Sequence, residues 1–241
     1  MKLAESVALN RILSKLGILS RTQATEAIRA GRVRVDGRVV RDPLAPIRAA
    51  SAHIVLDGRP CRRAGWRTIA FHKPRGVVTT RSDPDGRRTI YDVLGDAGRG
   101  LIPVGRLDLA TSGLLILTTD TELANRLTDP EYGVARVYVV TVRGQITAEE
   151  ITMLERGVVS RGERLQAAHV SLKKGSGRES HLTVELREGR NREVRHLFEA
   201  IRHPVTRLKR VQFGPLVLGD LPPGAWREVS RQEVGVGRAG T

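Results

Sequence analysis

The chain has 241 residues, with 41 Lys or Arg against 26 Asp or Glu and a formal net charge of +15. That excess concerns partners more than fold: it calls for a polyanion, nucleic acid first, while 40% hydrophobic residues exclude a disordered basic tail. No apolar run nears the roughly 18 residues of a membrane-crossing helix; the single cysteine, Cys61, rules out an internal disulfide; and 3 Phe, 2 Trp and 3 Tyr are too few for long base-stacking surfaces.

The opening segment MKLAESVALN carries Glu5 and no apolar core of a secretion signal, so a cytoplasmic protein without a membrane partner is expected. Leu9, Ile12, Leu13 and Leu16 lie on one helical face, with Gly17 as the stop. Ser20 and Gln23 form a capping box for a second helix over Ala24, Ala27 and Ile28. Val33 and Val35 then alternate with Arg32 and Arg34, and Asp36-Gly37 signals a hairpin returning through Val39-Val40. Ile54-Val55-Leu56 with Asp57-Gly58 repeats the pattern. Arg21, Arg29, Arg32 and Arg34 stud this part, which holds eleven basic and five acidic side chains in residues 1–60. They suit either a solvated face or a phosphate-contacting one, and their excess over acids favours the phosphate reading.

The basic stretch 59–68 breaks the pattern, and a linker is expected over 61–68 between a first domain, 1–60, and a second, 69–232. The second begins with an apolar strand at Ile69-Ala70-Phe71 running into His72-Lys73-Pro74-Arg75-Gly76. Leu114–Leu117 reads as a buried strand, Asp120 as the cap of a helix over Leu123, Ala124 and Leu127, and 136–143 as an alternating strand. A helix over 148–156, a strand through Leu182, Val184 and Leu186, and a helix carrying Val194, Leu197, Phe198 and Ile201 follow. Strands and helices mix without regular βαβ alternation, so the fold class is α+β with a mainly antiparallel mixed sheet flanked by helices. Residues 233–241 are Gly-rich and are expected to fray.

Two segments stand out chemically. In GRLDLATSGLLILTTD, residues 105–120, Arg106 precedes Asp108 on a loop rim, and the chain turns through Thr111-Ser112-Gly113 into the buried strand. A carboxylate braced by Leu107 and Leu109 beside a guanidinium suits a positioned nucleophile or base; a surface turn Asp bonded locally is the alternative. Between Arg187 and Arg210 lie eight basic and three acidic side chains, among them Arg190, Arg192, Arg195, Arg207, Lys209 and Arg210. A phosphate-binding surface is expected there rather than a merely solvated helix face. The six histidines show no HxxxH or HxH spacing, and no metal site is expected.

SRTQATEAIRAGRVRVDGRVV resembles the S4 RNA-binding module over about residues 8–57. GRLDLATSGLLILTTD, EGRNREVRHLFEAIRHPVTRLKRVQFGPLVLGDLPPGAWR and HKPRG at 72–76 resemble the motifs of ribosomal RNA pseudouridine synthases of the RsuA/RluB type, in the family's order. The resemblance spans about residues 8–229 and implies isomerisation of uridine to pseudouridine without cofactor or metal, with the base flipped out of its stack. It implies that Asp108 is the essential carboxylate, either nucleophile at C1′ or base at C2′. It implies further that Arg106 fills the gap left by the base, that Tyr138 stacks on the uracil, and that Arg195 pairs with Asp108. Lys73, Thr111 and Ser112 would support the loop or touch RNA. Arg136 stands where the family usually has Lys, and Glu193 where it often has Gln. The expected partner is ribosomal RNA or a pre-ribosomal particle, 23S favoured over 16S, with a monomer as the active unit. A non-catalytic RNA-binding or ribosome-assembly protein and a glycoside hydrolase are the alternatives. The hydrolase lacks an evident partner acid for Asp108.

Overall fold

A computed structural model describes residues 6–48, 51–61 and 65–235. Two compact units divide the chain: one within Met1–Arg67 that takes in Arg99–Ile102, the other Thr68–Gly98 with Pro103–Thr241.

In the first unit, β1 (Val7–Ala8) leads into α1 (Leu9–Lys15) and α2 (Arg21–Arg29). The Ser20 hydroxyl accepts from Gln23 N while the Gln23 side chain accepts from Ser20 N, so the capping box forms as expected. Four strands follow as one antiparallel sheet: β2 (Val33–Val35), β3 (Arg38–Val39), β5 (Ile54–Leu56) and β6 (Arg59–Pro60), with β4 (Pro46–Ile47) pairing β1 instead. Both Asp-Gly pairs adopt positive φ at both residues, Asp36 49° and Gly37 82°, Asp57 49° and Gly58 77°. Two-residue hairpin turns with the twist of the flanking strands require this, and it is why Asp-Gly closes both hairpins. Leu9, Ile12, Leu13, Ala24, Ala27, Ile28, Val33, Val35 and Ile54 form one buried core. Arg32 is held in a two-pronged ion pair with Asp57, at 2.9 and 2.5 Å, so its guanidinium already has a carboxylate partner. Arg21, Arg29 and Arg34 are exposed.

The second unit is built on one nine-stranded sheet. In chain order its elements are β7 (Thr68–Lys73), α3 (Ile90–Leu94), β8 (Ile102–Val104), β9 (Ser112–Thr118), α4 (Thr121–Thr128), β10 (Arg136–Arg143) and α5 (Ala148–Arg156). The short hairpin strands β11 (Val158–Ser160) and β12 (Glu163–Leu165) follow, then β13 (His169–Gly175), β14 (Glu179–Leu186), α6 (Glu193–Ala200), β15 (Val205–Phe213), β16 (Leu216–Val217) and β17 (Trp226–Glu228). The sheet order is β13-β14-β10-β15-β9-β7-β17, with β16 on β15 and β8 on β9. Among the described residues, β15 pairs β9 in parallel while the β10–β14, β10–β15, β13–β14, β15–β16, β7–β17 and β7–β9 ladders are antiparallel, which makes the sheet mixed but mainly antiparallel.

Local chemistry explains the central strands. Leu114, Leu115, Ile116 and Leu117 are all fully buried, the continuous apolar signature of a strand covered on both faces. Asp120 Oδ1 accepts from Glu122 N and Leu123 N and starts α4. The expected frayed tail is packed at its start. Val234 is buried, and the Glu233 carboxylate takes bonds from Ser230 N and Arg227 Nη1, so two local hydrogen bonds and an apolar contact hold 233–235. The remainder of that expectation, 236–241, and residues 62–64 of the expected linker lie outside the described residues. The expected first-domain boundary omits Arg99–Ile102, which cluster with the first unit.

Candidate active site

The loop between β8 and β9 carries Asp108, and four sets of hydrogen bonds define its shape. Thr111 N donates to Asp108 O at 3.0 Å and closes a turn. Leu107 is clasped by Thr79, whose hydroxyl donates to Leu107 O at 2.9 Å and accepts from Leu107 N at 3.2 Å. Gly76 N donates to Leu109 O at 2.8 Å. From beneath, the ammonium of Lys73, which has no exposed surface, donates to the carbonyl oxygens of Thr111 (2.8 Å), Pro74 (3.0 Å) and Asp108 (3.1 Å). Burial draws that ammonium down to about 8, against the pull of the Asp108 carboxylate. Lys73 is therefore a brace for the loop. Just beyond, Gly113 has φ +113°, and a Cβ there would fall on the backbone of Arg210. Glycine lets β9 and β15 run side by side at this point.

The Asp108 side chain, 30% exposed, faces two guanidiniums of the α6 segment. Arg192 Nη1 lies 3.8 Å and Arg195 Nε 4.0 Å from Asp108 Oδ2. Arg192 adopts the left-handed conformation (φ 52°) at the start of α6, aiming its side chain back over the loop. Arg195 is tied to Val205 O through Nη1, while its Nε is buried without a hydrogen-bond partner.

Beside Asp108 opens a cavity of about 160 Å³. An apolar cavity of about 150 Å³ takes up benzene, so this one has room for a six-membered ring. Tyr138, Leu186, Leu208 and Phe213 give it apolar walls, and Arg136, Arg210, Glu193 and Thr111 line it with polar groups. Arg106 and Arg190 also border it.

Asp108, Arg106, Thr111, Tyr138, Arg190, Arg192 and Arg210 thus meet at one cavity, with Arg195 reaching the carboxylate. Lys73 stands behind the loop, and Ser112 pairs with Lys209 where β9 meets β15. Arg207 is exposed and Lys209 half-buried.

Three side chains depart from the expectations. Arg210 does not belong to an outer phosphate-binding surface: it is 3% exposed, donates from Nε to Leu114 O at 2.8 Å, and lies 4.7 Å from the Phe213 ring centroid. Arg136 is 4% exposed, with its guanidinium spread over the carbonyl oxygens of Glu188 (2.9 Å), Leu127 (3.0 Å) and Val134 (3.1 Å) and 4.9 Å from the same ring. Glu193, read as a neighbour of Arg195, is instead a second acid in the Asp108 cavity. It is 4% exposed and accepts from Arg190 N at 3.1 Å; burial pushes its carboxyl up to about 7. Strand parity carries the signal for Arg136, which shares a face of β10 with Tyr138, Val140 and Val142, and for Arg210, which shares one with Leu208 on β15. No local signal marks Phe213, brought into place by a register shift of β15 against β10.

An RNA pseudouridylate synthase family model matches residues 67–200, and an S4 domain model matches residues 9–49. The chain is 36% identical over 229 residues to an uncharacterized RNA pseudouridine synthase of Aquifex aeolicus, covering 95% of this chain and 92% of the relative. It is 41% identical over 237 residues to ribosomal large subunit pseudouridine synthase B of Vibrio cholerae, covering 95% and 73%. The corresponding protein of Bacillus subtilis is 36% identical over 228 residues, covering 94% and 93%. A crystal structure of a pseudouridylate synthase superposes with a TM-score of 0.67 at 26% identity, covering 95% of this chain and 99% of that one.

Proposed function

The chain belongs to the RNA pseudouridylate synthase family, and from this we propose that it isomerises a single uridine of large-subunit, 23S ribosomal RNA at the cavity beside Asp108. The observation that carries this is a ring-sized cavity with a carboxylate on its rim and guanidiniums around it. The names of the Vibrio cholerae and Bacillus subtilis relatives support the large subunit as the substrate's source.

Isomerisation breaks the bond from ribose C1′ to uracil N1, leaving the electron pair on the base. The base turns, C1′ bonds to C5, the C5 proton leaves, and N1 gains a proton. Nothing is oxidised or reduced. The uridine leaves its stack to reach the cavity, which costs least where the RNA is unpaired. Asp108 acts on the ribose, as nucleophile at C1′ or base at C2′. Arg192 and Arg195 face that carboxylate at 3.8 and 4.0 Å. Tyr138 packs on the ring, and Arg106, exposed at the mouth, takes the space the base vacates. The S4 unit binds structured RNA, with Arg21, Arg29 and Arg34 offered to phosphate. One chain supplies the whole cavity, in keeping with a monomer, and an rRNA substrate supports the reading of a cytoplasmic enzyme.

Incubating the full chain with unmodified rRNA and mapping pseudouridine tests the reading. Product at one large-subunit position is expected. Product in 16S rRNA would move the substrate, and tight binding without product would refute the enzymatic assignment. Asp108→Asn should abolish product while RNA affinity stays within about threefold, since it removes the charge at nearly constant shape; loss of binding would contradict the role given to Asp108.

A further inference from the structure

Most basic groups around the cavity are exposed or already committed. Arg106, Arg190 and Arg192 reach solvent, and Arg136 spends its donors on backbone carbonyls. Arg210 differs. Its guanidinium is 3% exposed, fixed by Leu114 O on one side and by the Phe213 ring at 4.7 Å, and lines the cavity. Among the described residues it has no ion-pair partner, and its Nη2 is buried without a hydrogen-bond partner. An uncompensated charge in a dry site is costly to the fold. Sites that must stabilise charge appearing only during reaction hold such preorganised donors.

The reaction creates that charge. When C1′–N1 breaks, the electron pair passes to N1 and spreads onto the two carbonyl oxygens of the ring, so the detached uracil is an anion until C5 joins C1′. Asp108 is itself an anion at the rim and cannot offset this charge. We propose that Arg210 is a catalytic residue of this isomerisation, donating from Nη2 to a carbonyl oxygen of the detached uracil and balancing its charge. The inference rests on the functional reading above and adds a role for a buried residue of the cavity lining. Phe213 packs against the guanidinium at 4.7 Å, and Arg136, 4.9 Å from the same ring, adds to the positive potential there.

The test is single-turnover pseudouridine formation on saturating unmodified rRNA by the full-length wild type, Arg210→Gln and Arg210→Lys, with RNA Kd and the unfolding midpoint measured on each. Removal of one preorganised donor to a developing anion slows the chemical step by about 10²–10³-fold. Arg210→Gln should show that loss with Kd within about threefold of wild type, and Arg210→Lys should recover about tenfold of it but not all, because charge is restored without the fixed Nη2 donor. Wild-type rate in Arg210→Gln, or a loss wholly in Kd, would overturn the inference. So would Arg210→Lys folding normally yet remaining as slow as Arg210→Gln. If Arg210→Gln does not fold, the comparison of Arg210→Lys with wild type decides: a drop of about tenfold or more in rate at unchanged Kd supports the role, and none refutes it. Failure of the functional reading is separable, because the wild type would then make no pseudouridine at all.

Discussion

Lys73→Met should loosen the Asp108 loop without touching RNA affinity. One buried ammonium serves three carbonyl oxygens, two of them at the ends of the turn that presents Asp108. Hydrogen bonds to a charged partner contribute roughly 1.5–3 kcal/mol each, about 4.5–9 kcal/mol for the set. Against them stands desolvation. Burial draws the ammonium from 10.5 to about 8, which at ~1.36 kcal/mol per pH unit is about 3.4 kcal/mol against the charged form. Methionine fills the space and removes both contributions, so the net loss of stability should be about 1–6 kcal/mol. Denaturant unfolding measures it directly.

The sign of the pH dependence follows from the same group. The unfolded chain keeps the Lys73 proton to about pH 10.4, whereas the folded protein releases it near 8. Between these values the unfolded state binds more protons, so this lysine makes stability rise with pH. Lys73→Met should flatten that rise. Its single-turnover rate should fall at least tenfold, because a displacement of about 1 Å at a reacting group costs on the order of 10²-fold. The slope of log K for RNA against log salt should not change, since a residue with no exposed surface neutralises no phosphate. A slope reduced by about one, with stability intact, would refute the bracing role and make Lys73 an RNA contact.

Glu193→Gln should stabilise the protein at alkaline pH. With its folded carboxyl near 7 and its unfolded one near 4.3, the folded state holds the extra proton between those values, so wild-type stability falls as pH rises through that window. The neighbours facing it are Glu188, which raises the value, and Arg190 and Arg136, which lower it. Glutamine should add about 3–4 kcal/mol at pH 8.5 and little at pH 4; equal effects at both would show that Glu193 is ionised throughout. Gly113→Ala should destabilise by about 3 kcal/mol or more, or prevent folding, because the new Cβ meets the Arg210 backbone at a φ that disfavours side chains. An unfolding midpoint within a degree of wild type would refute the close approach of β9 and β15.

Elements with local causes were legible in the sequence. The Ser20 capping box, the Asp-Gly turns, the Asp120 cap and the strand at 136–143 each depend on residues within a few positions of one another, and all appear. The loop carrying Asp108 was legible by its motif. The short strand 158–160 is too brief to show alternation, and 163–165 and 169–175 carry exposed charge and little alternation, so none was read. Strand order was also hidden: β15 lies next to β9, nearly a hundred positions away, through contacts that no local pattern encodes.

The misplacement of Arg210 shows why composition misleads inside a basic protein. Counting charge over a window assigns every guanidinium to the surface, because a buried arginine is ordinarily too costly to expect. Parity makes the opposite assignment: Leu208 and Arg210 share an inward face, as do Arg136 and Tyr138. Where both rules apply, the alternation of a central strand is the stronger constraint, since moving one side chain outward shifts its whole apolar set off the core. An arginine at an inward position of such a strand is therefore held there by the sheet at a cost, and the cost marks a place where positive charge is needed away from water. In this chain Arg136 and Arg210 occupy two such positions, share the Phe213 ring and line the same cavity. Exposed arginines attract RNA through a field that salt screens within about 8–10 Å. The two buried ones are largely shielded from that screening, which separates holding the RNA from acting on its base.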